Sequence, residues 1–226
     1  MRIRLAVVGL LAVVALFAVH QVPVRATARD VEAIHKLFPK APAAARNFDG
    51  EVALILQVQD RVLAASPEER GIGLNHRREI ADLVSAGHGA CFDRSRAIET
   101  VLRYYGFKTR HASVYSTAQT GSALRSLATK DTISHALTEV KTSRGWMALD
   151  SKVRWAGLTA DGRPIDLGML RRNPNLEWGL GVGAPLPEIF STPYTWVYGL
   201  YSRHGRFYPP YDPIPDVNWG EMAQNL

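Results

Sequence analysis

The most constraining feature of this chain is its only cysteine, Cys91, which lies where a helix is predicted to begin. The segment "GACFDRSRAIETVLRYYGF", residues 89–107, has helical spacing and ends in a glycine and a phenylalanine. One apolar stripe recurs at intervals of four and three residues: Cys91, Ser95, Ile98, Leu102 and Tyr105. The other faces carry Arg94, Arg96, Glu99, Thr100 and Arg103. The pattern predicts a helix over 91–105 that faces the core with the cysteine at its N-terminal end.

The first 28 residues read as an export segment. Arg2 and Arg4 precede fifteen residues, 5–19, that carry no charge, and Ala26-Thr27-Ala28 offers a small-x-small cleavage site. This length suits a signal peptide, whereas residues 21–24 would lengthen it toward a retained membrane anchor. Residues 1–28 are therefore predicted to be a signal peptide or an N-terminal anchor. In both cases the remainder is exported to the periplasm or cell envelope.

Charge and composition narrow the class of protein further. The net charge is +6, but residues 1–28 hold three arginines and no acid, and the remaining 24 basic and 21 acidic residues give only +3. No basic stripe with interleaved aromatic residues is present, so no nucleic-acid partner is predicted. With 46% apolar residues, the composition is that of a globular protein. Residues 29–226 are predicted to form one domain.

The export prediction bears directly on Cys91. One cysteine cannot form an intramolecular disulfide, and an unpaired cysteine in an exported chain indicates intermolecular pairing or a reactive thiol. A helix start also offers free N–H groups that stabilise a thiolate. The alternative is that Cys91 is a small core hydrophobe, which is the common use of a lone buried cysteine.

The order of predicted elements indicates an α+β fold. Helices are predicted over Asp49–Ala65 and Arg77–Ser85, after a lead-in over 29–46 that contains proline and alanine. Strands are predicted over Lys108–Tyr115, His135–Val140 and Trp146–Ser151, the last two forming a hairpin. Residues 116–134 are predicted to be a loop at the edge of a cleft.

The hairpin is the reason for pairing His135 with Asp150. A two-residue turn at Thr142-Ser143 places them directly opposite each other, and a four-residue turn over 142–145 places them diagonally. Both registers leave imidazole and carboxylate on one face, because side chains alternate along a strand. A three-residue turn would put them on opposite faces. An imidazole oriented by a carboxylate is what an attacking thiol requires.

Taken together, these residues resemble the transglutaminase-like superfamily. The resemblance rests on "GACFDRSRA" at 89–97, a helix that ends in Gly-Phe, a strand, His135-Ala136, and Gly145-Trp146 followed by Asp150. It covers roughly residues 75–152. It implies an α+β, papain-like core in which a helix-start cysteine meets a histidine and an aspartate on antiparallel strands.

The resemblance also implies roles for the three residues. Cys91 would attack an amide carbonyl and form a thioester, with His135 as general base and then general acid and Asp150 holding its tautomer. The substrate would be a peptide, a protein or another amide-containing envelope molecule, consumed by hydrolysis or transamidation. The Cys91 N–H would bind the oxyanion, with Gln57 or Gln59 as a candidate second donor. Leu137 and Ser151 depart from the tryptophan and proline that are frequent in the family.

Several alternatives stay open. His88 and Cys91 form H-x-x-C, but the spacings of a zinc site are lacking, so no metal or cofactor is predicted. The aromatic C-terminal region forms either a ligand surface or a packed tail, and its members are Trp196, Tyr198, Tyr201, Phe207, Tyr208 and Tyr211. The rival to an enzyme is a catalytically silent module of the same fold that binds peptide or polysaccharide partners.

Overall fold

The computed structural model describes residues 20–73, 76–173, 185–203 and 214–226, together with Ala15, Arg206 and Tyr211. Its helices are α1 (Ala28–Leu37), α2 (Phe48–Ala65), α3 (Ile80–Ala86), α4 (Cys91–Tyr104), α5 (Ala123–Ala128), α6 (Leu167–Arg172) and α7 (Trp219–Met222). Its strands are β1 (Lys108–Ser116), β2 (Ser134–Thr142), β3 (Gly145–Leu149), β4 (Tyr194–Tyr198), β5 (Leu200–Tyr201) and β6 (Asp216–Val217). The α+β class is as predicted.

The main sheet is antiparallel and has the strand order β3-β2-β1-β4. Helix α4 packs against β1 and β2, and helices α2 and α3 pack around α4. One apolar core lies between these helices and the sheet, built on Ile55, Val58, Leu83, Ile98, Val101, Leu102, Val140 and Met147. A second core contains Trp155, Leu137 and Phe190. Helix α4, which begins at Cys91, is thus enclosed by other elements.

The pairing of β2 with β3 shows which of the predicted hairpin registers the structure has. Thr142 pairs with Gly145, so Ser143 and Arg144 form a two-residue turn, one residue later than the two-residue alternative predicted. Lys141 pairs with Trp146, which is the register of the predicted four-residue alternative. The offset between His135 and Asp150 is therefore diagonal, and both side chains share a face.

The burial of α4 differs from the prediction. The helix does not expose its charged faces: Arg94, Arg96, Glu99 and Thr100 are buried together with the apolar stripe. Arg96 Nε donates to Glu79 at 2.8 Å, and the Tyr201 hydroxyl donates to Glu99 at 3.0 Å. These charges are accommodated because neighbouring segments, including the C-terminal one, supply partners for them.

The lead-in over 29–46 also differs from the prediction because it contains most of helix α1. Thr27 and Asp30 cap this helix reciprocally: Asp30 N donates to the Thr27 hydroxyl oxygen, and Thr27 N donates to the Asp30 carboxylate at 2.9 Å. Val22 is buried and its N–H donates to the Val217 carbonyl at 3.1 Å. Among the described residues, no helix is both long and apolar enough to cross a membrane.

The C-terminal aromatic residues that are described pack into the fold. Tyr198 and Tyr201 are buried, and Trp196 and Tyr211 are half-buried. Packing is thereby confirmed for Tyr198 and Tyr201, while the predictions for Phe207 and Tyr208 lie outside the described residues.

Candidate active site

Cys91 is the first residue of α4 and is half-buried, and its thiol is not in a disulfide. The start of the helix is fixed by Asp93, whose fully buried carboxylate accepts the N–H groups of Ala90 and Ile72, both at 3.0 Å. Burial raises the pKa of Asp93, and these two bonds oppose the increase. Asp93 therefore anchors the backbone directly before the thiol to the segment that contains Ile72.

Around the thiol lies a small apolar cluster. Cys91 and Phe92 pack with buried Tyr115 and Ala136 and with Leu127 of helix α5. The predicted cleft-edge loop over 116–134 thus contains α5, and one of its side chains reaches the surroundings of the cysteine.

The structure brings His135 and Asp150 together. His135 Nε2 lies 2.6 Å from Asp150 Oδ2, Asp150 is fully buried, and His135 is 7% exposed. The other carboxylate oxygen, Oδ1, accepts the N–H groups of Lys152 at 2.7 Å and Val153 at 2.8 Å. Both oxygens of Asp150 are consequently engaged, and the carboxylate presents one fixed oxygen to the imidazole.

Cys91 also forms a hydrogen bond with His135. Burial opposes a charge on His135, but attraction and hydrogen bonding to Asp150, and then to Cys91, outweigh it and raise the pKa of His135 to about 10. Since Nε2 is occupied by Asp150, Nδ1 is the ring nitrogen that remains for the sulfur. The three residues that the sequence singled out therefore lie in one hydrogen-bonded chain.

Gln59 lies in a place that the sequence prediction did not foresee. Its buried Nε2 donates to the carbonyls of Asp150 at 2.8 Å, Val153 at 3.2 Å and Trp155 at 2.8 Å. An amide committed to three carbonyls has no N–H left for an oxyanion. Gln57 is exposed and lines a different cavity, beside Phe38 and Arg61. The prediction of either glutamine as an oxyanion donor is therefore wrong.

Ser151, which stands where the family often has proline, also supports the site. Its buried hydroxyl donates to the Ala136 carbonyl, directly after His135 in β2. The loop that carries Asp150 is thus joined to the strand that carries the histidine. Proline has no side-chain donor to replace this bond.

Two other described histidines, His111 and His88, have different partners. His111 is fully buried, its Nδ1 lies 3.0 Å from the Ser95 hydroxyl, and burial followed by the charges of Arg96 and Arg103 lowers its pKa to about 3. His88 donates through Nδ1 to the Arg70 carbonyl at 2.8 Å. Within the described ranges, no three His, Cys, Asp or Glu side chains are placed to hold a metal ion. His204 lies outside those ranges.

A helix-start cysteine that faces an antiparallel hairpin defines this fold as papain-like. Residues 47–151 match a family model described as "Transglutaminase-like superfamily", so this part of the chain is a transglutaminase-like domain. The match begins at residue 47, ahead of the motifs over 75–152, because it includes helix α2. The superfamily is one of cysteine acyl-transfer enzymes.

Comparison with solved structures adds an arylamine N-acetyltransferase (NAT) from Salmonella typhimurium, which is 18% identical with a TM-score of 0.34. The alignment covers 55% of this chain and 44% of that chain, so it spans less than half of the acetyltransferase. Comparison with curated proteins gave no match.

Proposed function

We propose that this protein is a cell-envelope cysteine enzyme that cleaves or exchanges amide bonds through a thioester on Cys91. The observation that supports the proposal is the continuous contact from sulfur to imidazole to carboxylate, with His135 Nε2 held 2.6 Å from Asp150. Such a chain supplies a nucleophile, a proton acceptor and an orienting group.

The chemistry follows from the placement of the protons. His135 holds the thiol proton before the attack, so the sulfur attacks the carbonyl carbon as a thiolate, and the imidazolium then gives a proton to the departing amine nitrogen. Water or a second amine then attacks the thioester, passes a proton to His135 and releases the acyl group. Asp150 keeps its hydrogen bond to His135 Nε2 throughout and stabilises the imidazolium.

The developing oxyanion needs at least one donor near the sulfur. The first N–H groups of a helix have no acceptor within that helix, and the Cys91 N–H is the first of α4. It belongs to the same residue as the nucleophile, and Asp93 fixes the backbone just before it. The Cys91 N–H is therefore our proposed oxyanion donor.

For localisation, we propose that the N-terminal segment is a retained anchor that holds the domain at the outer face of a membrane. Residues 20–28 contribute to the fold: Pro23 accepts a hydrogen bond from buried Arg96 at 2.8 Å, Val22 is buried, and Thr27 caps α1. Cleavage after Ala28 would remove all three interactions. A peptide or protein of the envelope is the proposed substrate.

Acyl-enzyme trapping tests the proposal. With p-nitrophenyl acetate as the probe, we expect intact mass and peptide mapping to locate an acetyl group on Cys91. His135→Gln should slow its formation by about two orders of magnitude or more, the usual contribution of a general base. The matched control is His88→Gln, which removes a neighbouring histidine without touching the chain of three. Absence of acetyl-Cys91 in the folded wild type would favour the silent binding module.

A further inference from the structure

A cavity of about 580 Å³ opens beside His135. Its lining comes from three segments: Ile133 to His135 at the start of β2, Lys152 and Val153 after Asp150, and the stretch 185–191. Among the described residues, His135 lines this cavity and Cys91 does not. The stretch 185–191 follows the part of the chain that matches the family model.

Apolar side chains form much of the wall of this cavity, and Ser134, Ser191 and the exposed Glu188 also line it. Val153, Leu186 and Ile189 are half-buried because each packs against the core cluster that contains Trp155, and they present their remaining surface to the cavity. Ile133 is 59% exposed at its mouth. Packing against the core holds the walls in place, which a specificity pocket requires.

Lys152 is the cation at the rim, and it already has a partner. Its Nζ lies 3.0 Å from the Glu69 carboxylate, with both side chains about half exposed. The charge is thus directed to solvent and away from the interior. An apolar occupant would meet no desolvated charge on this side.

We propose that this cavity binds the amine component of the reaction and selects an apolar one. The inference rests on the proposed function. The departing amine takes its proton from His135, and the accepting amine returns one to His135, so both must occupy the histidine side of the sulfur. In the second step a C–N bond forms, the C–S bond breaks, the amine proton moves to His135, and Cys91 leaves as a thiolate beside the imidazolium.

The expected selectivity is large enough to measure. A volume of about 580 Å³ lies within the range of small-molecule pockets, roughly 300–1,000 Å³. In an apolar pocket, one methylene group more or less changes the rate by about 10–200-fold. An acceptor with a leucine side chain should therefore be preferred to one with a serine side chain by about tenfold or more.

Partitioning of the acetyl-enzyme between two amines tests the inference. The full chain is acetylated with p-nitrophenyl acetate in an equimolar mixture of leucinamide and serinamide, and the two N-acetyl products are quantified by mass spectrometry after subtracting the Cys91→Ala background. Ile133→Thr and Ile189→Thr each place a hydroxyl in the wall, and each should lower the leucinamide-to-serinamide ratio several-fold. Thermal melts verify that each variant is folded.

Ile214→Thr is the matched control, because it makes the same change at an isoleucine that is 45% exposed and does not line the cavity. Its product ratio should equal that of the wild type. Acetylation of Cys91 with equal yields of the two products, or with a ratio that neither wall variant alters, would overturn the inference and leave the acyl-transfer function standing. If Cys91 is not acetylated at all, the proposed function fails and the inference falls with it.

Discussion

Gln59 shows how a residue far along the chain can fix the position of a carboxylate. Its side chain stabilises the loop after Asp150 through three carbonyl groups, although 91 residues separate the two positions. Because Asp150 Oδ1 accepts the N–H groups of Lys152 and Val153 in that loop, a change at Gln59 should alter the geometry at His135. We regard Gln59 as a positioning residue.

The prediction for Gln59 compares two glutamines of one helix. Gln59→Leu leaves buried carbonyls without this donor and should lower the free energy of unfolding by about 2–4 kcal/mol, together with the rate of Cys91 acylation. Gln57→Leu, two residues earlier and exposed, should change neither. The measurements are chemical denaturation and acylation kinetics. Equal behaviour of the two variants would remove the positioning role.

The raised pKa of His135 makes stability depend on pH in a defined direction. The unfolded chain releases the imidazole proton near pH 6.5, whereas the folded protein holds it up to about pH 10. The contribution is therefore complete below about pH 6.5 and is lost as the pH rises toward 10, at up to about 1.4 kcal/mol per pH unit.

His135→Gln should abolish this dependence. Between pH 7 and pH 9, the free energy of unfolding of the wild type should fall relative to that of the variant, as measured by urea denaturation at several pH values. His88→Gln, at an ordinary surface position, should follow the wild type. A constant difference between wild type and His135→Gln would show that the imidazole holds no extra proton in the folded state.

At this scale, the alternation of side chains along the strands was enough to pair His135 with Asp150, whereas Cys91 was joined to them through the resemblance to the transglutaminase-like superfamily. Gln59 was misjudged for a physical reason. A glutamine on a helix usually faces solvent, and nothing in the local sequence shows that a loop from residue 150 onward covers it.

Among the elements, the β2–β3 hairpin was the most predictable. Its strands alternate in period two, and the requirement for an even turn limited the register to the alternatives that keep His135 and Asp150 on one face. The alternatives differ in register, and the structure has the one in which Lys141 pairs with Trp146, with pairing continuing to Thr142 and Gly145. Local sequence does not determine that last pair.

Helix α4 was predicted as an element but its surroundings were not. Its charged faces read as solvent-facing, since buried arginine and glutamate are rare without partners. The partners lie far away in sequence. Glu79 accepts a hydrogen bond from Arg96, the Tyr201 hydroxyl donates one to Glu99, and Glu221 forms an ion pair with Arg103. Only the tertiary structure brings them together.

A substitution at Gly199, between β4 and β5, tests how tightly helix α7 and the residue before it pack against this backbone. Its φ is +82°, and a Cβ there would lie 2.6 Å from the Asn218 carbonyl oxygen and 2.7 Å from Met222 N. Gly199→Ala should therefore cost more than about 3 kcal/mol, because backbone must move. Gly162→Ala has a similar φ of +74° in open space and should cost only about 1–2 kcal/mol. If chemical denaturation shows that the two variants lose the same free energy of unfolding, the contact of Gly199 with Asn218 and Met222 is not tight.

For the whole molecule, the N-terminal boundary of the folded unit is a prediction of its own. A chain that starts at His20 keeps Val22, the Pro23–Arg96 hydrogen bond and the Thr27 cap, whereas a chain that starts at Arg29 loses all three. We expect the shorter chain to be less stable by about 3–5 kcal/mol, combining an apolar side chain, a charged hydrogen bond and a cap. Calorimetry of the two truncated chains measures this difference. Equal melting temperatures would contradict a folded role for residues 20–28.

The most direct test of the central claim is the rate at which iodoacetamide alkylates Cys91 near pH 6, compared between the wild type and His135→Gln. Because the sulfur lies against an imidazole that Asp150 keeps protonated, we expect the folded wild type to react at least about tenfold faster than free cysteine, and we expect the substitution to abolish that advantage. A wild-type rate no faster than that of free cysteine, unchanged by His135→Gln, would contradict that claim.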